Sequence, residues 1–273
     1  MHDGLITEFK ARLAELVALM PTASNVAGRV QVRAYVVNWL ERLRFEIREV
    51  GDDFGGRIVI AERAGPGLRL GLCAHYDVEE AGDGWDTPPF EVTQLGRRLV
   101  GRGVADNLGP LVLRLLVLER LGAPTLPLVF IIQGEEEVDS PSAHALFPML
   151  AGLDVDLWVE ETGYFELDGT QRLLVRDLTP LCESLVAAIE LDAVTAGRLV
   201  VRHDRYLNKA FGQARCPFLT HLVAGGPYLA IGPNDPGSRI HQSRESLNID
   251  NLDLSARQFA TLVSAGGKVE PCG

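Results

Sequence analysis

Cysteine and aromatic residues are sparse in this 273-residue sequence, and their scarcity excludes several protein classes. The four cysteines, Cys73, Cys182, Cys216 and Cys272, form no CxxC pair. This spacing indicates neither a zinc knuckle nor a disulfide framework. Aromatic side chains make up only 7% of the residues, while apolar residues make up 47%. We therefore expect an ordinary globular protein with reduced thiols, as in a cytoplasm.

Runs of basic residues and long apolar runs are also missing. The formal net charge is −11 and no cluster of Lys or Arg occurs, which argues against nucleic acid or an anionic membrane as a partner. No apolar stretch has the length of a membrane span, and residues 1–4 do not begin a signal peptide. The sequence thus predicts a cytoplasmic protein.

The chain does have an alternation of helical and strand patterns. Helical spacing occurs at residues 5–20, 27–43, 106–121, 140–150, 183–194, 205–214 and 251–265, with strands predicted at 45–50, 57–62, 68–74, 128–132, 156–159, 173–175, 218–222 and 228–231. A hairpin is predicted at 90–100. The continuous apolar run 128–132 is typical of a strand buried on both faces. We predict an α/β fold with a mixed, largely parallel central sheet flanked by helices, as a single domain over residues 1–273.

Acidic and imidazole side chains cluster at the predicted strand ends, where α/β sheets place ligand sites. Each cluster alone has a structural explanation: a polar contact for His75 and Asp77, or a helix N-cap for Asp106. The acidic run at residues 135–137 differs, because adjacent carboxylates after a buried strand repel one another unless cations lie nearby. Taken in order, the clusters supply two histidines, a carboxylate able to bridge, two terminal carboxylates and a spare glutamate. That is the composition of a two-metal hydrolytic site.

The motifs as a set resemble a known family, the co-catalytic zinc amidohydrolases. This family includes aminoacylase, carboxypeptidase G, acetylornithine deacetylase, succinyl-diaminopimelate desuccinylase and carnosinase-type dipeptidases. The matching stretches are residues 71–77 with Gly-Asp-Gly-Trp at 82–85 and Pro-Phe at 89–90, Gly-Arg-Gly-Val-Ala-Asp at 101–106, Gly-Glu-Glu-Glu at 134–137, Glu-Glu-Thr-Gly at 160–163 and the loop around His241.

The resemblance implies a role for each matching residue. It makes His75 and Glu160 ligands of one zinc ion, Asp106 the bridge, Glu136 and His241 ligands of the second ion, Glu135 the general base and Asp77 the carboxylate that supports His75. It also implies a cis peptide bond after Asp106 and a cofactor of two Zn²⁺ ions, with Co²⁺ or Mn²⁺ as alternatives. The expected activity is hydrolysis of an amide or peptide bond in a small N-acyl amino acid, dipeptide or related metabolite.

One departure from the family concerns its second domain. Most members insert a lid of roughly a hundred residues before the last histidine, and here only residues 164–240 separate the motifs. We expect the lid to be absent between about 165 and 215, and the protein to be a monomer or an oligomer not built on a lid. The lid's contribution to substrate binding would then come from elsewhere, with His203 and Tyr206 as candidates.

Two alternative functions remain open at this point. A lidless metal enzyme could perform another acyl-group reaction on a biosynthetic intermediate, and a homologue that has lost catalysis could simply bind metal. The complete set of ligand types together with Glu135 argues against the second alternative.

Overall fold

The computed structural model describes residues 2–51, 57–122, 126–160, 163–204 and 226–266. The helices in chain order are α1 (His2–Val17), α2 (Val26–Arg42), α3 (Leu108–Leu121), α4 (Pro141–Ala145), α5 (Phe147–Leu150), α6 (Pro180–Thr195) and α7 (Ile249–Gly266). The strands are β1 (Glu46–Val50), β2 (Ile58–Arg63), β3 (Leu70–His75), β4 (Thr93–Leu95), β5 (Arg98–Val100), β6 (Leu128–Gln133), β7 (Leu157–Glu160), β8 (Tyr164–Phe165), β9 (Gln171–Arg176), β10 (Val200–Asp204), β11 (Tyr228–Ala230) and β12 (Ser246–Asn248).

In the part of the chain described, the main sheet has nine strands in the order β1-β2-β6-β3-β7-β11-β9-β10, with β8 paired to β9. Its centre is parallel: β3 pairs with β6 and β7, and β7 pairs with β11. Strands β1 and β2 extend it in antiparallel fashion on one side, and β11 pairs antiparallel with β9 on the other. Strands β12, β5 and β4 form a separate small sheet. The predicted mixed, largely parallel sheet flanked by helices is confirmed.

The apolar residues of the central strands pack on both faces of the sheet. Leu72, Phe130 and Val159 face a large cluster with α1, α2, α3, α6 and α7, whereas alternate residues of the same strands face a smaller cluster with α4 and α5. Burial on both faces explains why β3, β6 and β7 have no polar alternation. The carboxyl ends of these parallel strands therefore open at one edge, held by a rigid core.

Several elements differ in detail from the sequence prediction. The helix predicted at 140–150 is two short helices, α4 and α5, because Pro148 lies at the start of the second. Strands β8, β10 and β12 were not expected. The helix predicted at 205–214 and the strand predicted at 218–222 lie outside the described residues, as do Cys216 and Cys272. Cys73 and Cys182 are buried thiols that form no disulfide with each other. No helix in the described ranges is long and apolar enough to cross a membrane.

We expect Phe130→Ala to destabilise the protein strongly, because this side chain is fully buried in the large core cluster on β6. Truncation of a buried Phe costs about 3–5 kcal/mol in the free energy of unfolding. Leu167→Ala is the control, since Leu167 is 88% exposed and its truncation should change stability by no more than about 0.5 kcal/mol. Urea unfolding measures both, and equal effects would contradict the assignment of the core.

Candidate metal centre

His75 ends β3 and is held by hydrogen bonds on both ring nitrogens. Nδ1 lies 2.9 Å from the main-chain oxygen of Asp77, and Nε2 lies 3.0 Å from Oδ1 of Asp106. Both neighbours are acceptors, so this environment favours the doubly protonated form of the ring. Burial alone would lower the pKa of His75, but the hydrogen bonds to Asp106 and Asp77 outweigh it and raise the pKa well above its usual value. Because Nδ1 is held by Asp77, Nε2 is the ring nitrogen that faces Asp106.

Asp106 lies between the two histidines of the sequence motifs. Its Oδ1 faces His75, and its Oδ2 is 3.2 Å from Nε2 of His241. Burial raises the pKa of the Asp106 carboxyl, yet the hydrogen bonds from His241 and His75 outweigh that effect and hold the pKa well below its usual range. One carboxylate therefore presents one oxygen to each imidazole, which is the arrangement of a bridging ligand.

Glu137 lies next to His241, close to Asp106. Its Oε2 is 2.9 Å from Nε2 of His241, and its main-chain N–H donates to Oδ2 of Asp77 over 3.0 Å. Hydrogen bonds to Asp106 and Glu137 raise the pKa of His241 to about 11. Burial raises the pKa of Glu137 to about 7 despite the nearby histidines. Asp77 thus supports both His75 and the backbone that carries Glu137.

The three adjacent glutamates point in different directions because the chain turns sharply after β6. Gly134 lies so close to Tyr76 that a Cβ there would be 2.2 Å from the Tyr76 ring. Residues Glu136–Val138 then form a 3-10 helix. The Glu135 carboxylate is engaged at the start of α4, where its Oε2 accepts the N–H of Ser142 over 3.1 Å. Glu136 lies near enough to His75 to raise the pKa of that imidazole.

This geometry differs by one residue from the sequence prediction, which placed Glu136 among the ligands and Glu135 as the base. The group whose ligand atoms lie within 4.8 Å of one another consists of His75, Asp106 and Glu137. A 3-10 helix has about three residues per turn, so neighbouring side chains diverge by about 120°. The alternation of a strand does not continue into residues 135–137, and sequence reasoning had no signal for this turn.

Glu160 ends β7 on the same face of the sheet as His75, and it is buried. Its Oε2 accepts a short hydrogen bond from the hydroxyl of Tyr228, which is fully buried on the adjacent strand β11. Glu161 and Thr162, the next residues of the motif, lie outside the described residues. Sequence reasoning missed Tyr228, because its contact depends on β11 lying beside β7.

The peptide bond between Asp106 and Asn107 is cis, as the resemblance implied. The side chain of Asn107 reaches back to β3, where its Oδ1 accepts the main-chain N–H of His75 over 3.3 Å. This contact joins the segment that carries Asp106 to the strand that carries His75.

Of the two candidates for substrate binding, His203 is not brought to this group. His203 lies on β10, four strands away from β3 in the sheet order. At about 4.8 Å per strand, that places the two strands roughly 19 Å apart. Tyr206 lies outside the described residues.

The group fits a divalent metal ion by the chemistry of its donors. Imidazole nitrogen and carboxylate oxygen are suitable ligands of Zn²⁺ and of related ions such as Co²⁺. Oε1 of Glu137 is buried without a hydrogen-bond partner among the described residues. The proton on Nε2 of His241 points toward two carboxylates, so a cation in its place would meet the same oxygen atoms.

The sequence matches the family model "Peptidase family M20/M25/M40" over residues 71–265. A succinyl-diaminopimelate desuccinylase from Rhodospirillum rubrum is 32% identical over 127 residues, which are 41% of this chain and 30% of that protein. A probable di- and tripeptidase from Saccharomyces cerevisiae is 37% identical over 99 residues, 33% of this chain and 11% of that protein. The chain therefore spans less than a third of the length of these two relatives.

Solved structures share the fold at low sequence identity. A family M20 metallo-carboxypeptidase from Sulfolobus solfataricus superposes with a TM-score of 0.76 at 12% identity, covering 98% of this chain and 100% of that one. Human carnosine dipeptidase 1 gives a TM-score of 0.69 at 13% identity, covering 96% and 97% of the two chains. With the family model spanning the segment from β3 to α7, this protein belongs to peptidase family M20/M25/M40.

Proposed function

We propose that this protein is a metal-dependent hydrolase that cleaves an amide or peptide bond in a small substrate. The observation that carries the proposal is the position of Asp106, whose two carboxylate oxygens each face one imidazole of the group. A carboxylate shared in this way suits a pair of metal ions about 3.5–4 Å apart. Family membership supports the same chemistry.

The proposed ligands fall into two sets that share Asp106. The first metal would be held by His75, Asp106 and Glu160, and the second by Asp106, Glu137 and His241. Glu137 replaces Glu136 in the second set, because Glu137 and not Glu136 belongs to the compact group. For Glu160 to join the first set, its carboxylate would bind the metal while Oε2 keeps the hydrogen bond from Tyr228.

We assign the general base to Glu136. When bound, a pair of zinc ions would polarise the scissile carbonyl and lower the pKa of water toward roughly 7. The Glu136 carboxylate takes a proton from that water and passes it to the departing nitrogen. Its proximity to His75 supports this role, whereas Glu135 is engaged at the start of α4.

A catalytic domain without a lid is proposed because the chain leaves little room for one. Residues 164–204 form β8, β9, α6 and β10, and the three strands belong to the main sheet. This use of the segment supports a catalytic domain without the inserted domain. N-acyl amino acids and dipeptides are the proposed substrates, since the relatives include a desuccinylase and a di- and tripeptidase.

Glu136→Gln should lower kcat by about 100- to 10,000-fold on whichever substrate the wild type hydrolyses, because the amide cannot accept the proton. The measurement is hydrolysis of a panel of N-succinyl and N-acetyl amino acids and dipeptides by the Zn²⁺-loaded protein. Metal content is measured in parallel and should remain at the wild-type level.

Glu135→Gln is the matched control for this experiment. It removes a charge from the adjacent residue but keeps an oxygen for the N–H of Ser142, so we expect kcat to change by less than about tenfold. A large loss of kcat in Glu135→Gln together with full activity in Glu136→Gln would show that Glu135 is the general base. Absence of hydrolysis and of metal binding by the wild type would refute the proposed function.

Metal binding should release protons and become tighter as the pH rises from 6 to 9. In the metal-free protein the pKa of His241 is about 11, so its imidazole is charged throughout this range. A metal ion on Nε2 must displace that proton, and the displacement costs less at higher pH. Titration calorimetry with Zn²⁺ in buffers of different ionisation enthalpy counts the protons released.

His241→Asn should release fewer protons in the same titration, because no imidazolium is then displaced at this position. His144→Gln removes an exposed histidine on α4 and should leave the count unchanged. An identical proton count for the wild type and His241→Asn would show that His241 does not take part in metal binding.

A further inference from the structure

His241 lies in a loop of unusual backbone conformation. This loop, residues 231–245, joins β11 to β12 and is called the His241 loop. Arg239, His241 and Arg244 have φ values of 48°, 62° and 65°. Non-glycine residues in this left-handed region persist only where the surroundings hold them, since each costs of order 1 kcal/mol or more. Something outside the loop must therefore fix the position of His241.

The first part of the loop is fixed by Arg98 on β5. Its guanidinium binds both carboxylate oxygens of Asp235, over 2.8 and 3.1 Å, and its Nε donates to the hydroxyl of Ser246 over 2.8 Å. A paired contact of this kind sets orientation as well as distance. This contact attaches the first part of the His241 loop to the small sheet.

The end of the loop is fixed by a buried ion pair between Arg102 and Glu245. Nη1 of Arg102 donates to Oε2 of Glu245 over 2.7 Å, and the two side chains are 1% and 0% exposed. Arg102 also donates to the main-chain oxygen of Glu80 over 3.1 Å, and its guanidinium lies 5.4 Å from the centre of the Trp85 ring. The pair is thus buried and in contact with the loop at residues 80–85.

The second oxygen of Glu245 reaches the backbone of the proposed bridging ligand. Oε1 accepts the main-chain N–H of Ala105 over 2.8 Å and that of Asp106 over 3.0 Å. Glu245 is four residues from His241 along the chain. One buried carboxylate therefore connects the backbone of Asp106 with the loop that carries His241.

We infer that Glu245 is a positioning residue that sets the separation of Asp106 and His241, with Arg102 orienting its carboxylate. The inference rests on the proposed function, because it assigns those two residues to the second metal. Glu245 touches neither metal nor substrate in this scheme. It acts through the Asp106 backbone at one end and through the His241 loop at the other.

Glu245→Gln is the informative substitution because it keeps the size of the side chain. A glutamine has one acceptor oxygen, so it cannot serve both the two N–H groups and Arg102. Either Asp106 or Arg102 loses its partner, and the distance between Asp106 and His241 is no longer fixed. Changes to groups that orient metal ligands weaken metal affinity by about 10- to 100-fold.

The experiment titrates the metal-free protein with Co²⁺ and follows the visible absorption of the bound ion. The wild type should bind two ions in two steps. Glu245→Gln should bind the second ion about 10- to 100-fold more weakly, with an altered spectrum for that step. Circular dichroism establishes that the variant is folded. A folded variant that binds both ions with wild-type affinity and spectrum would overturn the inference.

Two further variants of this chain make the outcome decisive. Glu190→Gln is the matched control, because Glu190 also pairs with an arginine, Arg202, over 2.6 Å but at a partly exposed position on α6. It should leave both binding steps unchanged. If Glu245→Gln does not fold, Arg102→Lys tests the same pair with its charges kept: a weaker second step supports the inference, and an unchanged one refutes it.

A different pattern would indicate that the proposed function itself is wrong. If the wild type binds no Co²⁺, or binds it with an affinity that His241→Asn does not alter, then Asp106 and His241 do not form a metal site. That result is distinct from failure of the inference, in which the wild type binds two ions and Glu245→Gln binds them equally well.

Discussion

The contact of the Asp106 carboxylate with two imidazoles is the interaction on which the rest of the site depends. This carboxylate lies between two imidazoles, and its hydrogen bonds to them raise the pKa of both in the metal-free protein. Glu137 adds a second carboxyl, whose pKa is raised to about 7 by burial. Such a group is stable only while positive charge stays close to Asp106, whether as protons on His75 and His241 or as metal ions in their place. The contacts around it are arranged to keep these distances short.

Those contacts come from rigid parts of the fold. Asp77 accepts hydrogen bonds at the end of β3 and beside the 3-10 helix, so it connects His75 with Glu137. Glu245 likewise uses its carboxylate to accept a main-chain N–H, that of Asp106. Asp77 and Glu245 are both buried, and hydrogen bonds to a buried charged group are strong. The two carboxylates therefore hold the residues that they contact at fixed distances. The side chains proposed to bind metal thus need little reorganisation before a metal ion enters.

The sequence was sufficient to predict the sheet and to point to His75, Asp106 and His241, which the structure brings together, because long apolar runs mark the central strands and the acidic and imidazole residues follow them. It was not sufficient where the backbone leaves regular structure. The choice between Glu136 and Glu137 depends on a 3-10 turn that no periodicity reveals. Tyr228 and Glu245 act through partners 68 and 139 residues away along the chain, and single-sequence patterns carry no information about such pairings.

Strand order adds a consequence for folding. Strand β11 lies between β7 and β9, although β9 and β10 precede it in the chain. The sheet therefore cannot grow outward strand by strand during synthesis, since the half that contains β9 joins the centre only when β11 enters. The His241 loop follows directly after β11. The step that completes the sheet therefore also places His241 beside Asp106. Before that step, a nascent or partly folded chain has an incomplete set of metal ligands, so tight metal binding indicates that the sheet is complete.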